Sequence, residues 1–180
     1  RLEEFFQDRV VIAETDRQGE VIHLVGRALG PEAKPKYLSA PGMPKPAYGM
    51  ARLDLARPVE LVEGPFDRLT LLEWGYQGVA AMGTHLNQRD AARLAGVPQV
   101  IITPDADDAG WSAASDWALA IAPPAGRGVR LRVLPDGVKD VSDLAQMPDG
   151  RAVFYQLPTL TLDQATGMSE FDPARPVLVV

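Results

Sequence analysis

The sequence predicts an α/β fold, a parallel sheet covered by helices and preceded by a small β-rich amino-terminal lobe. Three observations predict it. From Pro58 onward short apolar runs alternate with helical patterns, the rhythm of βαβ units. Before Pro58 the texture is different: two strand-like runs, then a Lys-, Pro- and Gly-rich stretch from Pro31 to Gly49. The 180 residues, 46% hydrophobic and 23% charged, hold enough apolar material for one main core with an appended lobe.

The elements follow in order. RVVIA and EVIHLVGR flank the turn signal Asp16-Arg17-Gln18-Gly19 and read as strands of the first lobe. In the second region VELV (59–62), GVAAM (78–82), QVIIT (99–103) and VRLRVL (129–134) read as strands. Helices are expected near Pro65–Trp74, Asn87–Ala95 and Asp107–Ala122. Pro65 suits a first helical position, where its missing N–H is not needed, and Gly75 suits the cap after the helix. Pro158, Pro173 and Pro176 argue against a long helix in the last thirty residues, and PVLVV at the end reads as an edge strand. The expected division is 1–57 for the basic β-rich lobe, 58–150 for the α/β domain and 151–180 for an extension.

Composition excludes several classes of function. No cysteine and only two histidines, His23 and His85, rule out a disulfide framework or a cysteine/histidine zinc site within these residues. Apolar runs such as Ala118 to Pro124 are too short to span a bilayer, and RLEEFFQDR lacks the apolar region of a signal peptide, so the expectation is a cytoplasmic protein without a membrane partner. The opening on Arg1 reads as a domain excised or processed from a longer chain.

A net charge of −6 speaks against a polyanionic partner until its distribution is considered. From Val21 to Arg57 six basic residues (Arg27, Lys34, Lys36, Lys45, Arg52, Arg57) face two acidic ones, Glu32 and Asp54. From Pro58 to Gly150 seven basic residues face thirteen acidic ones. One segment is suited to phosphates and the other to metal ions.

Ligands of open parallel sheets bind beyond the carboxyl ends of the strands. Glu63 directly follows VELV, while Asp105 and Asp107 follow QVIIT-Pro, so two strands deliver carboxylates to one edge. Carboxylates gathered in this way repel one another unless a proton or a cation intervenes. Mg²⁺ or Mn²⁺ fits, because hard cations take oxygen ligands and combine one or two carboxylates with waters and substrate phosphates. With Asp105 bridging, a pair of ions is expected to serve the attacking and leaving oxygens of an in-line phosphoryl transfer. Gly64 and Gly110 would allow close backbone approach to a ligand. The alternatives are plain: Asp105, Asp107 and Asp108 as helix caps, Glu63 as a surface carboxylate. Asp67 reads either as an outer partner of the site or as a favourable charge at a helix start.

These residues resemble the RNA-polymerase core of bacterial DnaG-type primases, a TOPRIM-type domain preceded by a basic subdomain. VELVEGPFDRLTLLEWGYQGVAAMGT is similar to the family's strand, Glu-Gly, aromatic, Asp, helix, then strand ending in Gly-Thr. IITPDADDAGWSAA resembles its Asp-x-Asp-x-Ala-Gly segment, and LPDGVKDVSDLA its later acidic stretch. DRVVIAETDRQGEVIHLVGRAL and KPKYLSAPG resemble the basic subdomain. The likeness runs from Asp8 to Leu144 with four motifs in order.

The resemblance implies metal-dependent synthesis of short RNA primers on single-stranded DNA from ribonucleoside triphosphates, with a replicative helicase as partner through modules outside these residues. It implies catalytic and metal-holding roles for Glu63, Asp105 and Asp107, and a metal role for Asp140. Arg27, Lys36, Tyr37 and Lys45 stand where the family places groups near template or nucleotide, and Ser39 where it more often has Asn. His85, after Gly83-Thr84, is expected at the surface or just outside the site. There are departures. Val25 replaces the first glycine of a Gly-Gly-Arg run, Gly42 to Tyr48 is shorter than usual, and Asp143 matches the second late Asp only after a shift of one residue. Competing readings are a TOPRIM nuclease or topoisomerase fragment, and a catalytically degenerate DNA-binding module of a mobile element.

Overall fold

The structure, a computed structural model, describes residues 5–43, 45–121, 128–161 and 164. The first lobe is a three-stranded antiparallel sheet of β1 (Arg9–Thr15), β2 (Val21–Ala28) and β3 (Tyr37–Ser39) in the order β1-β2-β3. Its hairpin turns at the predicted place: Asp16 Oδ1 accepts from the backbone N–H groups of Gln18 and Glu20, each at 2.9 Å, and Gly19 takes a φ of 91°.

The second sheet has the order β5-β4-β6-β7-β8. It comprises β4 (Val59–Val62), β5 (Gly78–Ala80), β6 (Val100–Ile102), β7 (Val129–Arg132) and β8 (Thr159–Thr161), the first four parallel and β8 antiparallel to β7. Between them run α1 (Pro65–Glu73), α2 (Gln88–Leu94), α3 (Asp108–Ile121), α4 (Val141–Leu144) and α5 (Gly150–Gln156). The chain thus has the predicted α/β architecture, a mainly parallel sheet with a β-rich lobe before it.

The four predicted strands and three predicted helices of the second region all form, with ends that agree to within two residues. Residues 150–161 pack against the sheet of the α/β domain. Helix α5 buries Phe154 completely, and β8 closes the sheet beside β7, because Pro158 ends one short element and leaves the next extended. The expected PVLVV strand lies outside the described residues.

Strand alternation sorts the core into two layers. Val59, Leu61, Val79, Val100, Ile102 and Leu131 face α2 and α3, where Leu94, Ala114 and Trp117 are buried. On the other face Val62 and Ala80 meet Leu71, Val141, Leu144 and Phe154 of α1, α4 and α5. Ile12, Val25 and Tyr48 of the first lobe belong to this second layer. Tyr48 exchanges two backbone hydrogen bonds with Ala80, at 2.7 and 2.9 Å, and its hydroxyl donates to Ile12 O at 2.7 Å. Beside it the buried Glu14 accepts from Gly49 N at 2.9 Å and lies 3.8 Å from the Arg68 guanidinium. The two lobes are therefore joined by sheet pairing, shared core and a buried charge pair.

Glu60 lies on the second face and would be an unpaired charge there. Arg132 Nη2 donates to its Oε1 at 2.7 Å and Thr103 Oγ1 to its Oε2 at 3.2 Å. Burial pushes the Glu60 carboxyl up, and the Arg132 hydrogen bond and charge oppose that shift. Arg132 Nη1 also donates to the carbonyls of Phe154 and Leu157, at 3.1 and 2.9 Å, so one guanidinium fastens the end of α5 to the sheet. Removing one partner of such a pair leaves a buried charge uncompensated. Arg132→Leu is expected to lower unfolding free energy by about 3–5 kcal/mol, and Glu60→Leu/Arg132→Leu to recover most of it. Urea unfolding checks both, and a single variant within about 0.5 kcal/mol of the parent would contradict the assigned role.

Candidate active site

Three loops at the carboxyl ends of β4, β6 and β7 build the site. Glu63 leaves β4 and Gly64 follows as the extended N-cap of α1. Asp67, in the first turn of α1, is buried; a Cβ at Gly64 would lie 2.6 Å from its Oδ2. The glycine gives that carboxylate its room. Asp105 follows β6 after Thr103 and Pro104, and α3 begins three residues later with Gly110 packed on the Asp105 backbone. A Cβ there would come within 2.9 Å of Asp105 N and closer to its carbonyl oxygen. Both glycines singled out in the sequence are thus required by packing.

Asp140 is the N-cap of α4, accepting from Asp143 N at 2.7 Å. Ser142, two residues further on, donates both its backbone N–H and its hydroxyl to Asp67 Oδ1, each at 2.8 Å. This contact ties the loop after β7 to the start of α1. Asp143 points elsewhere: it is exposed and accepts from Lys139 N at 3.0 Å. The late acidic motif therefore presents Asp140 and Ser142 to Asp67, and the shifted Asp143 does not replace the missing second carboxylate.

The electrostatics centre on Asp105. Its carboxyl is pushed up to about 7, first by burial, then by the charges of Asp67, Glu63 and Asp140, with Lys139 opposing. Asp67 is raised too, by burial and by Asp140. Asp107 has a different setting. It is exposed, caps α3 by accepting from Gly110 N at 2.8 Å, and its other oxygen stands 4.0 Å from the Lys139 ammonium. Among the described residues no three His, Cys, Asp or Glu side chains close into a ready metal cage. Fully protein-made cages are not the habit of Mg²⁺, and an all-oxygen donor set with uncompensated charge at Asp105 suits a hard cation completed by waters and phosphate.

The basic lobe reaches the same edge through β2 and β3. Arg27 Nη1 donates to the Tyr37 hydroxyl at 2.9 Å. Burial raises the Tyr37 hydroxyl, Arg27 opposes, and the Asp67 and Asp140 charges raise it further, which locates the ring beside those carboxylates. Lys36 Nζ lies 5.8 Å from the Tyr37 ring centroid and lines a groove with Arg27 and the 28–35 segment. Lys45 is apart from these. It borders a second groove, of about 440 Å³, with Met82, Gly83, Thr84, His85 and Asn87 beyond β5. Residue-type reasoning missed Ser142 and Lys139; the Lys-Asp-Val-Ser-Asp spacing was the available signal.

With Asp105 raised in the fold above the ordinary carboxylate value, the native state binds the extra proton between about pH 4 and pH 7. Stability from this group is therefore fully present below about pH 4 and lost as pH rises through about 7. In chelator, Asp105→Asn is expected to raise Tm at pH 8 by on the order of 2–4 °C, the shift that about 1 kcal/mol gives a domain of this size, and to leave Tm at pH 4 unchanged. Thermal melts at the two pH values check this, and an equal shift at both would contradict it.

Comparison with known proteins agrees with this geometry. The Toprim-like family model matches residues 60–145. The DNA primase of Escherichia coli strain K12 is 34% identical over 181 aligned positions, which take in 92% of this chain and 30% of that protein. The chain thus spans less than a third of that relative's length. A crystal structure of a DNA primase domain from Pseudomonas aeruginosa superposes with a TM-score of 0.74 at 31% identity, covering 94% of this chain and 58% of that one. The DnaG primase catalytic domain bound to single-stranded DNA gives 0.73 at 28% identity, covering 92% and 56%. The match to the Escherichia coli primase and those to the two structures extend over both lobes, and the chain belongs to the bacterial DnaG-type primase family.

Proposed function

We propose that this chain carries the nucleotidyl-transfer centre of a primase, making short RNA primers on single-stranded DNA with Mg²⁺ or Mn²⁺. The observation that carries this reading is the gathering of Glu63, Asp67 and Asp140 around Asp105, opposite Arg27 and Tyr37. In the reaction a nucleotide 3′-hydroxyl attacks the α-phosphate of the next ribonucleoside triphosphate, and pyrophosphate leaves. A divalent cation bound there would supply Lewis-acid stabilisation of the charge that builds up on the phosphate oxygens.

The chain's own residues do the rest. Glu63 and Asp105 would hold the cation. The Asp67–Ser142 contact fixes the Asp140 loop against α1, so the carboxylates keep their spacing. Tyr37 braces Arg27, whose guanidinium is suited to a triphosphate. Lys36 and Lys45 lie along exposed grooves to either side and supply sequence-independent attraction for a template backbone. A replicative helicase is assigned to parts of such a primase outside these residues.

Incubating the chain with single-stranded DNA, ribonucleoside triphosphates and Mn²⁺ is expected to yield oligoribonucleotides that Asp105→Ala abolishes. DNA cleavage in place of synthesis would support a nuclease instead. Absence of both product and metal-induced stabilisation would sink the catalytic reading. Arg27→Ala is expected to raise KM for nucleotide about tenfold, the loss of roughly 1.4 kcal/mol of charge-assisted hydrogen bonding, and Tyr37→Phe to cause a smaller rise of the same kind.

A further inference from the structure

We infer that Trp117 is a positioning residue for Glu63: its indole N–H fastens the loop after β5, and that loop fixes the main chain from which Glu63 reaches the site. The inference rests on the metal-dependent reading just proposed, and adds to it a residue of the buried apolar layer.

The hydrogen-bond ladder of the sheet is uneven around Glu63. On the β6 side it ends at Thr103, whose N–H donates to Leu61 O at 2.9 Å, short of Glu63. On the β5 side it runs on past the strand: Ala81 N donates to Val62 O at 2.9 Å and Met82 N to Glu63 O at 3.0 Å. Lateral support for Glu63 therefore comes from Met82. That methionine is held in a left-handed conformation, φ 64°, which side chains rarely adopt, and Gly83 follows at φ 127°. A residue with a side chain stays in such a conformation only where its surroundings impose it, and these outliers gather at functional sites.

Trp117 supplies one of those surroundings. It is 1% exposed, and its Nε1–H crosses from α3 to donate to Thr84 O at 2.9 Å, just beyond Met82 and Gly83. A buried indole needs a partner for its N–H, and here the partner is the loop itself. Tyr48 holds the other end of the same segment through its hydrogen bonds with Ala80. Met82 thus lies between two fixed points. Helix α3 serves Asp105 as well: Gly110, two turns before Trp117 and so on the same face, packs on the Asp105 backbone. One helix therefore sets the main chains behind both carboxylates, and the indole is its reach to the β5 side.

Titration of the whole chain with Mn²⁺, with free ion followed by electron paramagnetic resonance, tests this beside primer synthesis. Trp117→Phe keeps an aromatic ring and loses the donor; it is expected to bind Mn²⁺ about tenfold more weakly than the parent, the lower end of what removing an outer partner of a metal site costs. Its primer synthesis is expected to need correspondingly more Mn²⁺, with KM for nucleotide at saturating Mn²⁺ changed less than about twofold. In the metal-free chain, amide exchange at 82–86 is expected to speed up while that of β7 stays as in the parent. Ile121→Val, which trims the same helix without touching the indole, is expected to lower Tm and leave Mn²⁺ affinity unchanged. Parental Mn²⁺ affinity in Trp117→Phe, or an equal loss in Ile121→Val, would overturn the inference. Should Trp117→Phe fail to fold, Gly83→Ala decides in its place: a Cβ there meets no atom within 4 Å, so it disturbs only the backbone turn and is expected to weaken Mn²⁺ binding likewise. A parent that binds no Mn²⁺ and makes no primers defeats the metal-dependent reading itself, whereas a parent that does both beside an unaffected Trp117→Phe defeats this inference alone.

Discussion

Mutual repulsion among carboxylates at the ends of β4 and β6, and at the start of α4, is the constraint around which the rest of the molecule is arranged. Nothing about a bundle of acids is stable by itself, so the scaffold has to hold them against their own field. It does so with rigid parts. Strand β4 is buried along its whole length, Gly110 lets α3 press on the Asp105 backbone, and the serine at 142 satisfies one oxygen of Asp67 twice. The Asp105 carboxyl, pushed up to about 7 first by burial and then by the charges of Asp67, Glu63 and Asp140, carries the cost of this arrangement. Such a shift is a frequent mark of functional sites.

The second face of the sheet shows how the scaffold withstands that load. Glu60 and Arg132 are charges in an apolar layer, and a hydrophobic pair would fill the space with less desolvation. What the guanidinium adds is direction: it reaches from Glu60 to the last carbonyls of α5 and lies 4.5 Å from the Phe154 ring centroid. The segment 150–161 is thereby pinned in one register beside β7. Specific placement, more than added stability, is what the buried pair supplies.

Much of this was legible in the amino acids. Continuous apolar runs such as VELV mark buried parallel strands, and Pro65 with Gly75 brackets α1, so the second region's order could be read directly. The acids that follow those strands were visible for the same reason. Elements α5 and β8 escaped because they are short and carry no periodic signal, and their burial depends on Arg132 from a strand far back in the chain. The late motif escaped differently. In the first turn of α4 a shift of one residue rotates a side chain by about 100°, so Ser142 meets Asp67 while Asp143 turns to solvent. Asp107 has the residue type of a ligand and of a cap alike; the structure shows it capping α3 through Oδ1.

The pairing of Tyr48 with Ala80 has a consequence for how a polymer would travel through the cleft. Because the first lobe is sewn to the second by sheet hydrogen bonds and a fully buried ring, it is not a jaw on a hinge. Widening the gap between Arg27 and the carboxylates would require those bonds to break and Tyr48 to leave the core. The spacing of the two lobes is cast into the fold, so under the proposed function it is the nucleic-acid strand, not the first lobe, that would move from step to step.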